Sequence, residues 1–489
     1  MRLLALLALA ALVPGSAFAE VVPVSDEASL EAAIAAAKPG DEIELADGVY
    51  ASTGISCSAN GTPAAPIIVR AANPLGAKIR FDALEGFKVS GDHWHFEGLE
   101  VTGVCANDSD CEHAFHVGGA SGFVLRGVTA VDFNAQLKVN AVQSGGSWKL
   151  PNGGLVEGCD LHDTHPRATS NPVTKLNIDS GDDWVVRGNL IHDYEKGQGD
   201  GVSYGAFLKC GGQRGVIEQN LVLCERDFSG GTRIGLSLGG GACAPQFCEP
   251  AFDASTACVE HHDGVVRNNI VANCSDVGVY VNASANSRVL YNTLIGTAGI
   301  DFRFAATTGV ATGNVLAGNI ENRNGATATF SDNLENVAQS DFDGWYMTPL
   351  TGDLRLKGAP TALLGKGPTL ADVTDDYCAR ARGTESDLGA LESSLGDCET
   401  TTPPATSSST GAGATTTGAT GAGATGTSST GSSSSSGSGG AGSDGGADGC
   451  SCRTRSGGAI STAELGTLAA LALGVALRRR PRGSRASRR

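Results

Sequence analysis

Residues 185–191 read VVRGNLI, and the same seven-residue pattern returns as VIEQNLV at 216–222 and VVRNNIV at 265–271. Two apolar residues, a polar one, a turn residue, a fifth place and two more apolar residues make one unit. Five further stretches fit it: HFEGLEV (95–101), VLRGVTA (124–130), LVEGCDL (155–161), VLYNTLI (289–295) and VATGNVL (310–316). Their fifth places are Leu99, Val128, Cys159, Asn189, Asn220, Asn269, Thr293 and Asn314, mostly 21 to 31 residues apart. A period of this length with β-type alternation is the signature of a solenoid. A second short apolar strand precedes each unit: FKV (87–89), FHV (115–117), LNI (176–178), AFL (206–208), LSL (236–238), VYV (279–281) and IDFRF (300–304). Two or three short strands per turn with glycine corners give an all-β fold, a right-handed parallel β-helix. The fifth-place asparagines are expected to stack as an amide ladder. Helical periodicity is absent from these stretches, which excludes coiled-coil and nucleotide-binding α/β classes.

Working outward, SLEAAIAAAK (29–38) reads as a short capping helix opened by Ser29, followed by the strand EIEL. The 49-residue interval between Asn220 and Asn269 marks an insertion, GGGACAPQFCEPAFDASTACVEHH (239–262). The chain divides into a signal peptide (1–19), the β-helix (20–340), a closing segment (341–398), a linker (399–449) and a tail (450–489). Residues 1–19 carry Arg2, an apolar run and a small-x-small cleavage site at Ala17-Phe18-Ala19, which implies export. The linker is almost wholly Thr, Ser, Gly and Ala, too poor in apolar side chains to offset its ordering entropy, and reads as a disordered stalk. The tail holds Cys450 and Cys452, an apolar run long enough to span a bilayer, and RRRPRGSRASRR, so it predicts a transmembrane anchor at the cell surface.

The whole chain has 35 basic and 52 acidic residues, but the basic ones crowd its ends. Between residues 20 and 449 there are 25 basic against 51 acidic residues, a net charge of −26. That excludes nucleic acid as a partner and makes calcium the expected ion. Twelve cysteines lie in the same span. In an exported chain they imply disulfides, with Cys105–Cys111 and Cys378–Cys398 as local pairs. A zinc site of cysteines is disfavoured, because no paired short C-x-x-C units occur.

Strand alternation assigns outward faces. With Leu176 and Ile178 inward, Lys175, Asn177 and Asp179 point out; with Ala206 and Leu208 inward, Phe207 and Lys209 point out. Arg233, Ser237 and Gly239 follow on the next turn, then Tyr280 and Asn282, then Asp301 and Arg303. The register predicts one file of Asp179, Lys209, Gly239, Asn282 and Arg303, and a second of Asn177, Phe207, Ser237, Tyr280 and Asp301. His116, Lys138 and Asn140 extend the strip toward earlier turns. Lys209 is placed as a base, Asp179 as its orienter or a calcium ligand, and Arg233 or Asn177 as a carboxylate clamp. Phe207, Tyr280, Arg303 and Asn177 make a platform for an extended sugar chain. LHDTH (161–165) and IHDY (191–194) place His162 over His192 and Asp163 over Asp193, a candidate metal or acid–base group. Glu260-His261-His262-Asp263 is a further cluster of the same kind.

The phrases KPGDEIELADGVY (38–50) and NGTPAAPIIVRAANP (60–74), with the cap and the turn pattern, resemble the pectate-lyase-like right-handed β-helix superfamily, most of all its chondroitinase-B and alginate-lyase group. The resemblance spans about residues 24 to 395. It implies a lyase that cleaves an extracellular acidic polysaccharide by β-elimination. In that group the catalytic lysine precedes a short turn and an apolar-x-x-N strand, the position of Lys209. The group's arginine ends a phrase like L-x-L-R, where this chain has Leu236-Ser237-Leu238-Gly239. The tail resembles the myxobacterial C-terminal surface-sorting signal. The expected protein is thus a monomeric, surface-anchored polysaccharide lyase. A non-catalytic glycan-binding or adhesion protein is the alternative, and a glycoside hydrolase using Asp179 with Asp301 is a third reading.

Overall fold

The computed structural model describes residues 21–240, Cys243 and residues 259–400. The expected signal peptide, the interior of the insertion, the stalk and the transmembrane tail lie outside them. Among the described residues no helix is long and apolar enough to cross a membrane.

Each coil of chain contributes one short strand to each of three parallel sheets. One full turn is Val202–Lys209, then Val216–Glu218, then Leu221–Leu223. Stacking such turns builds a 12-stranded sheet containing Val216–Glu218 and two 10-stranded sheets containing Val202–Lys209 and Leu221–Leu223. We call these the ladder sheet, the site sheet and the third sheet. Every pair within them is parallel, for example Asn177↔Phe207 and Phe207↔Ser237. This is the parallel β-helix that the repeat predicts. Inward positions bury their side chains in one column; Phe87, Phe115, Leu176, Leu208, Leu236, Val281 and Phe302 are all in it. Phe87 and Phe115 stack with ring centres 5.2 Å apart, one above the other on successive rungs.

The fourth place of the unit explains its glycines. Gly98, Gly127, Gly158 and Gly188 have φ between 58° and 63°. That left-handed turn swings the chain from the ladder sheet into the third sheet, and glycine adopts it without Cβ strain. The fifth place behind it carries the amide ladder. Asn189, Asn220, Asn269, Asn292, Asn314 and Asn333 each present Oδ1 to the backbone N–H of the residue one turn earlier, at 2.9–3.0 Å. One unit was framed a residue late in the sequence. Val265 pairs with Arg288 and Val266 with Val289, so the repeat at that turn is RVLYNTL and Asn292, not Thr293, holds the ladder position.

The capping helix is Glu27–Ala36, opened by Asp26 rather than Ser29. Ser29 instead completes a capping box, its backbone N–H donating to Asp26 Oδ1 at 2.8 Å. Leu30 and Ile34 plug the end of the core. Phe342, Tyr346, Leu354, Tyr377 and Leu391 from the closing segment pack along the side, on Leu221, Ile270 and Val315. The segment therefore pads the outer face of the third sheet. Disulfides join Cys105 to Cys111 and Cys378 to Cys398, as the spacing predicts, and also Cys210 to Cys243 and Cys224 to Cys274. Cys57 and Cys159 are buried thiols in the core.

Candidate active site

The outward files of the site sheet have the predicted register. Asn177, Phe207, Ser237, Tyr280 and Asp301 align, and Asp179 aligns with Lys209. The first file runs on to earlier turns through Lys138 and His116. Alternation alone, however, does not decide exposure. Where the chain turns into the site sheet the alternation breaks, and a strand's first residues are buried at the corner.

Arg233 and Lys175 show this. Both were expected to face solvent, and both are fully buried. The Arg233 guanidinium donates to the carbonyls of Gly230, Cys224 and Phe228 at 3.0, 2.5 and 3.0 Å, and to Glu195 Oε2 at 2.8 Å. It bolts the 224–233 loop to the helix and has no donor turned to a substrate. Lys175 Nζ donates to Asp163 Oδ2 at 2.5 Å and to the Phe133 carbonyl at 2.9 Å. Burial pulls the Lys175 ammonium down to about 8 and pushes the Asp163 carboxyl up, while their mutual attraction opposes both shifts. Asp163 is therefore a core ion-pair partner rather than a companion of His162.

The later half of the same strands forms the open strip. Lys138 Nζ donates to Asp179 Oδ2 at 2.5 Å and to Asn177 Oδ1 at 3.0 Å. Lys209 Nζ lies 3.9 Å from Asp179 Oδ1 and 4.6 Å from the centre of the Phe207 ring. Two ammonium groups thus bracket one carboxylate, at side-chain exposures of 18%, 14% and 16% for Lys138, Lys209 and Asp179. Next along the strip, His116 Nδ1 meets Glu85 Oε1 at 2.6 Å and Nε2 meets Asn140 Oδ1 at 2.7 Å. The Asn140 amide nitrogen donates to the Ala141 carbonyl, so its oxygen is the atom facing His116. Two acceptors on one imidazole call for two N–H groups. Burial disfavours the His116 cation, but those two acceptors raise its pKa overall, and hydrogen bonds from His113 and His116 hold Glu85 far below the usual carboxylate range.

Lys138 and His116, expected only to extend the strip toward earlier turns, stand at its centre. Lys138 precedes Asp179 by 41 residues, because the chain between Val139 and Val173 detours through an antiparallel hairpin, Val142–Ser144 with Ser147–Lys149. The signal for them was only that outward Lys and His recur at the strand positions facing Asn177.

The platform is different from the expected one. Phe207 and Tyr280 are buried; Tyr280 packs with Ile234 and Val277, and its hydroxyl accepts from Arg303 Nη1 at 3.2 Å. A Cβ on Gly240 would lie 3.0 Å from Lys209 Cδ and 3.7 Å from Phe207 Cδ1, so the chain leaving Leu238 covers Phe207 from outside. Gly239, at the predicted arginine position, has φ 78° and backs onto the Asn282 carbonyl with no room for a Cβ. Arg303 donates to Asn324 Oδ1 at 2.9 Å. Asp301, four rungs from Asn177, is buried and paired with Arg323 at 3.0 Å; burial pushes its carboxyl up to about 6. Four rungs are about 19 Å, far beyond the roughly 5–9.5 Å that separates a glycosidase's carboxyl pair.

His162 and His192 align on the third sheet, away from Asp179, with rings stacked at 4.3 Å. Asp160, not Asp163, joins them: its Oδ1 lies 2.8 Å from His162 Nδ1 and 3.1 Å from His192 Nε2. In the third cluster His261 is a buried core residue whose cation is strongly disfavoured by burial, its pKa falling to about 3. As for calcium, the Asp179 oxygens face two ammonium groups, and the neighbouring oxygens of Asn177 and Glu85 are engaged by Lys138 and His116. Calcium takes six to eight oxygen ligands, and this lysine-bracketed strip does not supply them.

The family model described as chondroitinase B matches residues 24–108, the capping helix and first turns, and stops short of Lys138. Pectate lyase L of Dickeya chrysanthemi is 38% identical over 89 residues, covering 15% of this chain and 21% of that protein. Pectate lyase L of Dickeya dadantii matches to the same extent. The chain thus spans about a fifth of the length of these curated relatives. Among solved structures, pectate lyase Pel9A superposes with a TM-score of 0.52 at 18% identity, covering 77% of this chain and 97% of that one. These likenesses set the fold with the pectate-lyase-like parallel β-helices.

Proposed function

We propose that the protein is a polysaccharide lyase that cleaves a uronate-containing chain by β-elimination on the strip around Asp179. The observation that carries this reading is the pair Lys138, in register with Asn177, and Lys209, in register with Asp179, which both reach the Asp179 carboxylate in an otherwise acidic chain. β-Elimination needs a base for the proton beside the carboxylate, a cation to neutralise that carboxylate, and a proton for the leaving oxygen. Lys209, in its neutral amine form, is the base that takes this proton; it stands in register with Asp179. Lys138 with Asn177 neutralises the substrate carboxylate, the part expected of Arg233 or Asn177. The doubly hydrogen-bonded His116 is the proton source nearest along the strip. Asp179 orients both lysines. No step runs through calcium. The four disulfides among the described residues support export, and the acidic composition supports a partner other than nucleic acid. Surface anchoring through residues 450–489 and the monomeric state remain part of the same proposal.

The test is incubation with polygalacturonate, alginate and chondroitin, reading the ultraviolet absorbance of unsaturated uronate. Activity is expected on one of them and is expected to survive a calcium chelator. Lys209→Ala is expected to lower kcat by about 10²–10⁴, and Lys138→Ala by about 10²–10³. Binding without cleavage on every uronate would replace the lyase with a glycan-binding protein. Cleavage that survives Lys209→Ala would remove Lys209 as the base.

A further inference from the structure

The third sheet carries a second constellation that the lyase reading does not use. His162 and His192 occupy the same position on adjacent rungs, and Asp160 sits two residues before His162 on the same outward face. His162 Nδ1, His192 Nε2 and Asp160 Oδ1 all lie within 4.8 Å of one another. The remaining nitrogen of His192 is committed: Nδ1 lies 2.7 Å from Asp193 Oδ2. Asp193 is itself fixed, its Oδ1 accepting backbone N–H bonds from Arg226 and Asp227 at 2.9 and 2.8 Å, with the Arg226 guanidinium 3.8 Å away. A carboxylate that takes the far N–H of an imidazole sets its tautomer and leaves the other nitrogen's lone pair outward. That is the arrangement found behind metal-bound histidines.

We propose that Asp160, His162 and His192 bind a borderline divalent cation of the zinc class, with water in the fourth position. The chemistry of the donors, two imidazoles and one carboxylate, suits zinc and not calcium. The spacing is close to what the ion needs. Metal bonds of about 2.0–2.1 Å put tetrahedral ligands about 3.4 Å apart, against 2.8 and 3.1 Å here. Opening the group by a few tenths of an ångström, with the partly exposed His162 ring turning out of its 14° stack on His192 so that the two lone pairs converge, admits the ion in exchange for the shared protons. Access is built in. His192 is 1% exposed and rigidly held, while His162 and Asp160 are 19% and 37% exposed and form the open side. The closing segment does not seal it: the outer face of the third sheet is padded from Leu190 and Leu221 onward, and this group lies at the edge of that padding.

The experiment titrates the full-length protein with Zn²⁺ against a chromogenic chelator, and separately with Co²⁺ while its visible spectrum is read. One equivalent of zinc is expected to bind, at least ten-fold more weakly in His162→Ala and in Asp160→Asn. Cobalt is expected to give the absorption of a four-coordinate site with nitrogen ligands, lost in the same variants. Both substitutions are at partly exposed positions, and circular dichroism checks that the fold is kept. His165→Ala, an exposed histidine three residues beyond His162 that turns to Asp108, is the control and is expected to bind as the wild type does. Titrations that do not differ between wild type and His162→Ala would overturn the site and leave a purely proton-shared network. Displacement of zinc by millimolar calcium would overturn the class of ion. Neither outcome bears on Lys209, which lies on a different sheet.

Discussion

Arg233→Met separates a catalytic clamp from a structural bolt. In the structure the guanidinium serves four acceptors, one of them the Glu195 carboxylate. The Cys224 carbonyl is buried beside the Cys224–Cys274 disulfide and cannot be rehydrated when the arginine goes, which costs about 1–3 kcal/mol. The charge-assisted bond to Glu195 contributes about 1.5–3 kcal/mol, while the Phe228 and Gly230 carbonyls regain water at a smaller cost. The expected loss is about 4 kcal/mol, in line with breaking a buried ion pair. Arg233→Lys places one compact ammonium where a planar fork reached four atoms, and is expected to recover about half of it. Urea denaturation followed by circular dichroism reads the loss. Because a solenoid opens locally, hydrogen exchange across 224–233 is expected to accelerate before the rest. Below the unfolding transition, polysaccharide cleavage should persist. A variant that is destabilised by less than about 1 kcal/mol and has lost cleavage would refute the bolt and restore Arg233 as the carboxylate clamp.

Asn220→Leu, in the middle of the ladder, leaves the Asn189 backbone N–H unpaired in the core and takes the Asn220 side-chain amide donor from the Val186 carbonyl. It should cost about 3 kcal/mol in urea denaturation, whereas the exposed Asn73→Ala should change stability by less than about 0.5 kcal/mol. Lys175→Met strands the buried Asp163 carboxylate, an expected loss of about 3–5 kcal/mol, and adding Asp163→Val should recover most of it. The His116–Glu85 pair sets a pH window. The folded state raises the His116 pKa, so its contribution is complete below the unfolded value of about 6.5 and is lost as pH climbs through the higher folded value. Glu85 is depressed, so its contribution is complete above about 4.3 and is lost as acid titrates it. The stability gap between wild type and His116→Gln should therefore be widest between about pH 4.5 and 6.5 and shrink above; a gap that widens with pH would contradict the assigned imidazolium.

The fold was legible because a solenoid repeats its instructions. Each turn restates the apolar spacing, the left-handed fourth place and the ladder residue, so an error in one turn is outvoted by its neighbours. The one slip, Thr293 for Asn292, came where Tyr291 takes the left-handed place that glycine marks in the early turns. The unit VLYNTLI satisfies the apolar pattern in either frame. Only the stacked amides, with Asn269 Nδ2 on Asn292 Oδ1 at 2.9 Å, choose between them. Register followed from the same redundancy, which is why Asp179 meets Lys209 as expected.

Exposure is another matter, since it depends on loops that do not repeat. Asn177 and Lys175 sit two residues apart, yet the alternation breaks between them: Val173 and Leu176 both enter the core, Asn177 borders the strip, and Lys175 is sealed at the corner where the chain enters the sheet. Arg233 is sealed by the 224–233 loop in the same way. A lone charge at an outward strand position thus cannot be assigned to solvent without its loop. The useful clue was present but distributed: Arg233 follows Glu225 and lies a turn beyond Glu195, two acids placed to receive it. Lys138 has Asp132 six residues before it, but that carboxylate is taken by Thr164 and His165, and the acid that Lys138 meets, Asp179, arrives only with the next turn. A charged residue whose nearby sequence already holds its counter-ions is more apt to be a bolt, whereas one whose partner arrives only through the stacking of turns belongs to the surface that those turns build together. By that criterion the catalytic search moves from Arg233 to Lys138, and the two single substitutions, one expected to unfold a loop and the other to slow a reaction, decide whether the criterion holds.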